Sequence, residues 1–231
     1  PEAILKYAAT PLAMLSGLWK DKYNEWKEAK TDPRPPVFIV VCKNTKLAKL
    51  VFEWMAGGKS PTGIPPLNIP AFRNSDDRIN TIRVDSKVVH ETDSDETKSA
   101  EFKWMRSILD TVGKNDWPKD RQGRSIYSEG FEELAQKLKR PLHPPGRDIC
   151  AIVSVGMLTE GWDCSTVTHI IGLRPFMSQL LCEQVIGRGL RRRSYDDIDA
   201  SGRLPEEVSK ILGVPFQVIP FKENKGGTGG T

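Results

Sequence analysis

The sequence predicts an α/β protein with an open, mostly parallel β-sheet flanked by helices and a helical extension at the N-terminus. Short, wholly apolar runs such as Val37–Val41 are typical of strands buried on both faces of a parallel sheet. Segments with apolar residues at helical spacing alternate with these runs, which favours right-handed crossovers. The 231 residues suffice for a sizeable core, and their composition, 38% hydrophobic and 28% charged, excludes a disordered chain.

The elements follow one another in alternating order along the chain. Apolar spacing predicts a first helix over residues 2–30, in which Pro11 should start or kink the helix. Strands are predicted at 37–41, 80–86, 147–155 and 166–173, with 216–222 as a candidate last strand. Helices are predicted at 45–55, 95–112, 128–140 and 177–192, and surface loops at 57–78 and 113–125. The domain boundaries that follow are an extension over 1–33, a main domain over 34–222 and a linker-like tail over 223–231.

Composition narrows the functional classes only a little. No apolar run approaches the roughly 20 residues that span a bilayer, and no signal-peptide pattern opens the chain, so no membrane partner is expected. The net charge of +4 is compatible with a nucleic-acid partner but too weak to argue for one. The four cysteines show no CxxC pairing and predict buried free thiols in a reducing cytoplasm, with no metal site: Cys42, Cys150, Cys164 and Cys182.

A polar loop follows the third predicted strand, with the sequence "GMLTEGWDCS" over residues 156–165. Ligands of open α/β sheets lie outside the carboxyl ends of the strands, so this loop is a candidate site. Gly161 permits a tight backbone path, and around it stand a hydroxyl, two carboxylates and an indole: Thr159, Glu160, Asp163 and Trp162. Such groups suit phosphate and ribose contacts. By itself, however, the loop is more simply a surface turn in which Asp163 caps the next element.

The helix predicted over 177–192 ends in "QVIGRGLRRR" (184–193), where two glycines each cost about 1 kcal/mol of helix stability. On a helical wheel Gln184, Arg188 and Arg191 project together, opposite an apolar face. An arginine stripe is often only a solvated face, but here Glu183 is the single acidic neighbour. Guanidinium groups bind phosphate oxygens bidentately and stabilise charge on a transferring phosphoryl group. The helix therefore predicts a nucleoside triphosphate as its ligand.

Together these two segments resemble a known family. "SVGMLTEGWD" followed by "QVIGRGLRR" resembles motifs V and VI of superfamily 2 helicases, and the wording is similar to the helicase (Res) subunits of type III restriction enzymes. "VFIVVCKNTKLAKLVFEWM" resembles the strand and helix of motif IV. The resemblance covers roughly residues 37–193 and implies a RecA-like fold, the C-terminal of the two RecA-like domains of such motors.

The resemblance also implies roles for individual residues. Arg188 and Arg191 would be arginine fingers that reach the γ-phosphate of ATP, and Gln184 would position the nucleotide or the attacking water. The residues implied near ATP in the motif V segment are Gly161, Asp163 and Glu160, whereas Thr159 would hold the nucleic-acid backbone. Lys43, Asn44 and Thr45 are candidate phosphate-backbone contacts, and the same residues fit a helix cap equally well.

Two parts of an ATPase are missing from the sequence. It contains no G-x-x-x-x-G-K-[ST] phosphate loop, because "GGKSPTG" (57–63) lacks the spacing, and no DExx carboxylate pair follows a strand. We therefore expect ATP and Mg²⁺ to be held mainly by an N-terminal RecA-like domain preceding Pro1 in a longer parent. The chain alone should hydrolyse ATP negligibly.

The expected function is that of the second motor domain of an ATP-dependent DNA helicase or translocase from a restriction-type system. Its partners would be DNA, contacted through the backbone without sequence preference, the first RecA-like domain, and a methyltransferase or nuclease subunit. Two alternatives stay open at this point. One is a degenerate RecA-like module that binds nucleic acid or protein without ATPase activity, and the other is a motor of similar build that acts on RNA.

Overall fold

The structure is a computed structural model that describes residues 1–84, 96–155, 162–175, 187, 191–192, 198, 201–204 and 206–214. Its centre is a five-stranded, all-parallel sheet in the order β2-β3-β1-β4-β5. The strands are β1 Val37–Cys42, β2 Thr81–Val84, β3 Ala151–Val155, β4 Val167–Pro175 and β5 Lys210–Val214. The predicted α/β class with a parallel sheet is confirmed, and the arrangement is consistent with a RecA-like domain.

Helices cover both faces of the sheet: α1 Glu2–Ala29, α2 Thr45–Met55, α3 Glu96–Thr111 and α4 Phe131–Lys137. Alternate residues of β1 enter the two resulting cores, Phe38 and Val40 on the side of α1 and α2, Ile39 and Val41 on the side of α3 and α4. All six residues of β1 are buried, as its apolar sequence predicts for a central strand. No helix in the described ranges is both long enough and apolar enough to span a membrane.

Pro11 does not start helix α1, which was one of its two predicted roles, because it lies inside one 28-residue helix. Proline removes the hydrogen bond to the carbonyl of Tyr7, and both residues are on the solvent side, where water can bond to that carbonyl instead. The opposite side is fully packed, because Leu5, Leu12 and Trp19 are 0% exposed. The predicted extension is thus part of the main core.

The structure differs from the sequence-based prediction in one loop and in one strand. The sequence predicts a surface loop over 57–78, yet Ile64, Leu67, Ile69 and Phe72 are buried in the core beside α1 and α2. Strand β5 occupies residues 210–214, which the sequence did not predict as a strand. The predicted strand at 216–222 and most of the helix at 177–192 lie outside the described residues.

The cysteines of the described part are buried thiols, as predicted: Cys42, Cys150 and Cys164. Burial raises the pKa of Cys42 and of Cys150 to about 12, because the apolar surroundings disfavour the thiolate. These thiols are therefore protonated packing groups. Cys182 lies outside the described residues.

Candidate nucleotide and nucleic-acid sites at two edges of the sheet

Because all five strands are parallel, their carboxyl ends form one edge of the sheet and their amino ends form the other. The six residues of β1 separate these edges by roughly 17 Å. Lys43, Asn44 and Thr45 directly follow β1 and lie at the carboxyl edge. Asp163 and Arg191 lie at the opposite, amino edge. The remaining predicted site residues are outside the described part of the chain: Thr159, Glu160, Gly161, Gln184 and Arg188.

At the carboxyl edge, Asn44 is the N-cap of α2. Its backbone is extended, with φ −156°, and its side-chain oxygen accepts a 2.9 Å hydrogen bond from the N–H of Leu47. The first turn of α2 contains no acidic residue, so the partial positive charge of the helix N-terminus is not neutralised there. The cap interpretation is therefore confirmed for Asn44, and the exposed Lys43 beside it keeps its cation available.

Arg174 is a further cation at this edge that the sequence did not single out. Cys42 of β1 is paired in register with Leu173 of β4, so Lys43, the first residue after β1, lies beside Arg174 of β4. Strand alternation places both on the face that α3 covers. In the sequence, Arg174 is marked only by its position directly after the strand predicted at 166–173.

The amino-edge position of Asp163 corrects the expectation that the whole motif V loop lies at the carboxyl ends. The segment after Trp162 leads straight into β4, and the carbonyl of Thr166 accepts a 2.8 Å hydrogen bond from the N–H of Val37, the first residue of β1. Residues 156–161 connect the end of β3 to this segment, because a parallel β4 must begin at the amino edge. The loop thus starts at one edge and ends at the other.

Three contacts fix the segment that carries Asp163. The indole N–H of the buried Trp162 donates a 2.8 Å hydrogen bond to the carbonyl of Leu109 in α3. Gly113, with φ +76°, lies so close to the segment that a Cβ there would meet Cys164 Sγ at 2.9 Å and Thr166 Oγ1 at 3.0 Å. Glycine at this position is therefore required twice, by its backbone conformation and by the close approach.

The third contact comes from Arg34, which precedes β1 and carries no sequence motif. Its Nε and Nη2 donate to the two carboxylate oxygens of Asp32, each at 2.9 Å, and its Nη1 donates to Ser165 Oγ at 3.3 Å. The hydrogen bond with Asp32 raises the pKa of Arg34, which keeps the guanidinium charged. Arg34 thus ties the chain before β1 to the end of the motif V segment.

Asp163 and Arg191 form an ion pair at this edge. The two side chains belong to the two different predicted motifs, and they remain 67% and 42% exposed. Both groups can therefore exchange partners with a ligand from solvent. This contact brings together the described members of the two predicted motifs.

Two cavities flank the ion pair, and Ser165 lines both. The smaller, of about 440 Å³, lies on the α3 side and includes Arg34, Gly113, Lys114 and Asp163. The larger, of about 610 Å³, lies between α1 and the amino ends of β4 and β5 and includes Arg191 and Arg192. Both volumes fall in the range of small-molecule sites.

His169 is buried at the larger cavity and was not predicted from the sequence. Only 3% of it is exposed; its Nδ1 is 2.9 Å from Thr168 Oγ1, and its Nε2 has no hydrogen-bond partner among the residues that the structure describes. The pKa of His169 is lowered to about 4, mainly by burial and further by the nearby cations Lys210 and Lys22. The imidazole is therefore neutral at physiological pH.

Comparison with family models, curated proteins and solved structures gives no significant match to this chain. The site must be judged on its own chemistry. The guanidinium groups of Arg191 and Arg192 are of the kind that bind phosphate oxygens, and the Asp163 carboxylate can accept a hydrogen bond from a hydroxyl group. Within the described ranges no group of three or more His, Cys, Asp or Glu side chains could hold a metal ion.

Proposed function

We propose that this chain is the second motor domain of an ATP-dependent DNA helicase or translocase. The amino edge of its sheet would complete an ATP site, and the carboxyl edge would hold the nucleic-acid backbone. The observation that carries the proposal is the ion pair of Asp163 with Arg191, since it joins two separately predicted motifs beside cavities large enough for a nucleotide.

At the amino edge, Arg191 acts on a phosphate that another domain holds. The first RecA-like domain of the motor presents ATP with Mg²⁺. The γ-phosphate then replaces the Asp163 carboxylate as the partner of Arg191, and the guanidinium stabilises the charge of the transferring phosphoryl group. Asp163, released from the pair, accepts a hydrogen bond from the ribose.

At the carboxyl edge, Lys43, Arg174 and the N-terminus of α2 offer positive charge to backbone phosphates. Such contacts carry no sequence information and weaken as salt rises. The motif V loop leaves β3 at this edge and enters β4 at the other, so one short segment connects the two sites. Closure on ATP at one edge can thereby shift the nucleic-acid contacts at the other.

The test is ATP hydrolysis by the motor that contains this chain and its phosphate-loop domain, with and without duplex DNA. Arg191→Ala and Arg188→Ala should each lower kcat by on the order of 10³ while ATP binding persists. Arg121→Ala, which changes an exposed arginine of the loop after α3, is the matched control and should hydrolyse ATP normally. This chain alone should show negligible turnover.

Other outcomes would redirect the proposal. Normal hydrolysis by both arginine variants would make the stripe a nucleic-acid or structural surface and remove the mechanism. Stimulation by RNA and not by DNA would reassign the substrate. An assembled motor that binds DNA but hydrolyses no ATP would leave the degenerate binding module as the function.

A further inference from the structure

Helix α1 carries a second apolar face that does not enter the core. Tyr7 is 86% exposed, Met14 is 68% exposed, and Ile4 and Leu18 are 38% and 45% exposed. With the exposed Pro11 they are spaced alternately three and four residues apart, which is the a/d spacing of a coiled-coil seam. We call this face the α1 seam; its residues are Ile4, Tyr7, Pro11, Met14 and Leu18. It runs for roughly 21 Å along the helix.

Most charged residues of α1 lie in the part of the helix beyond the seam. From Ala3 to Trp19 the only charged residue is Lys6, whereas seven charged residues lie between Lys20 and Lys30. A helix whose outer side faces water normally carries its charged residues there. Contiguous exposed apolar surface of this kind marks an interaction site.

The α1 seam runs directly into the cavity that contains Arg191. The next positions in the same repeat are Asp21 and Glu25, and both line that cavity together with Leu18, the last seam residue. A protein domain that covers the α1 seam therefore also borders this cavity. Under the proposed function, the domain that must approach Arg191 is the one that holds ATP.

We propose that the α1 seam docks against a helix of the RecA-like domain that carries the phosphate loop, so that ATP on that domain is aligned with Arg191. This inference rests on the proposed function. The a/d spacing fits a helix as the partner, with Tyr7 and Met14 as the side chains that insert into its surface. A second copy of this chain on the seam would come next to Arg191 without bringing a phosphate-binding loop.

Photo-crosslinking in the assembled motor tests the contact directly. Met14→p-benzoylphenylalanine should crosslink to the phosphate-loop domain. The same substitution at Ile126, which is 53% exposed on the loop after α3, should not. Crosslinking of Met14 only to a second copy of the chain, or to nothing, overturns the inference.

A charge-insertion variant tests its consequence for the reaction. Tyr7→Glu with Met14→Glu should raise KM for ATP by about tenfold or more, because docked, competent molecules become rarer. Ile126→Glu should leave KM unchanged. Thermal unfolding shows whether the double variant is folded. If it is not, Tyr7→Ala with Met14→Ala replaces it, and a smaller rise in KM is expected.

The two proposals fail separately. If Arg191→Ala lowers kcat while the seam variants hydrolyse ATP as the unchanged protein does, the docking surface is wrong and the motor function stands. If Arg191→Ala has no effect, the proposed function fails, whatever the seam variants show.

Discussion

The carboxylate of Asp163 and the guanidinium of Arg191 form an ion pair at the amino edge of the sheet. Each residue was singled out from a different stretch of sequence, and the fold brings them together beside two cavities. The pair is exposed enough for either group to take a new partner. Its consequences for stability and for catalysis should therefore differ.

Asp163→Asn should separate these two effects. Because the pair is largely exposed, we expect the free energy of unfolding to change by less than about 1 kcal/mol in urea titrations. In the assembled motor kcat/KM for ATP should fall by about tenfold, since a charged acceptor is lost from the ribose. Glu53→Gln is the control, because it breaks the similarly exposed Lys49–Glu53 pair far from the cavities and should change neither quantity. A large loss of stability in Asp163→Asn would instead make the pair structural.

Lys43 and Asn44 should respond differently to substitution. Asn44→Ala removes the N-cap of α2 and should cost about 1 kcal/mol of stability, whereas Asn44→Ser keeps a capping oxygen and should cost little. Lys43→Ala should leave stability unchanged, weaken DNA binding equally for all sequences and reduce the salt slope by about one. The measurements are urea unfolding and DNA titrations at several salt concentrations. Unchanged DNA affinity in Lys43→Ala would remove the carboxyl edge from the nucleic-acid site.

His169 should make stability fall in acid. Its pKa is about 4 in the folded protein, below its usual value near 6.5, so the unfolded chain binds the extra proton first as pH decreases. The contribution of neutral His169 to the free energy of unfolding is complete above pH 6.5. Between pH 6.5 and pH 4 the free energy of unfolding falls by up to about 3 kcal/mol as this contribution is lost. Urea unfolding at both pH values should show a smaller loss for His169→Phe than for the unchanged protein. Lys210→Met should raise the pKa of His169 and so narrow the pH range over which stability is lost. Equal losses of stability in all three proteins would contradict this account.

Gly113→Ala should destabilise the protein more than the matched change at Gly123. Both glycines have positive φ, +76° and +81°, but only Gly113 has neighbours that a Cβ would meet. Gly123→Ala should cost about 1–2 kcal/mol from backbone strain alone. Gly113→Ala adds the contacts with Cys164 and Thr166 and should cost roughly 1–3 kcal/mol more. Equal losses in urea unfolding would show that the segment holding Asp163 moves aside without cost.

The central strands could be predicted from the sequence because a strand buried on both faces leaves an unbroken apolar run. β1, with the sequence VFIVVC, is of this type. β5 was not predicted, since it is an edge strand that begins with Lys210, contains Gly213 and leaves Leu212 40% exposed. The buried residues of the 57–78 stretch are single apolar side chains between prolines, a pattern with no period to detect.

Candidate site residues could be named from the sequence, but their arrangement in space could not. The rule that ligands lie at the carboxyl ends of the strands locates only the start of the motif V loop, where the chain leaves β3. Asp163 comes eight residues after Val155, and a chain needs only about five residues to cross a sheet of this width. Arg34 and His169 carry no motif, because their importance comes from contacts with segments distant in sequence.

The position of β1 at the centre of the sheet has a consequence for biosynthesis. Its partners are β3 and β4, and more than 100 residues separate Cys42 from Ala151. At translation rates of about 5–20 residues per second, β1 waits roughly 5–20 s after its own synthesis before β3 emerges. During that interval the most apolar of the described strands has neither of its neighbours, so chaperone binding to residues 37–42 on the ribosome should raise the fraction of the protein that reaches its folded state.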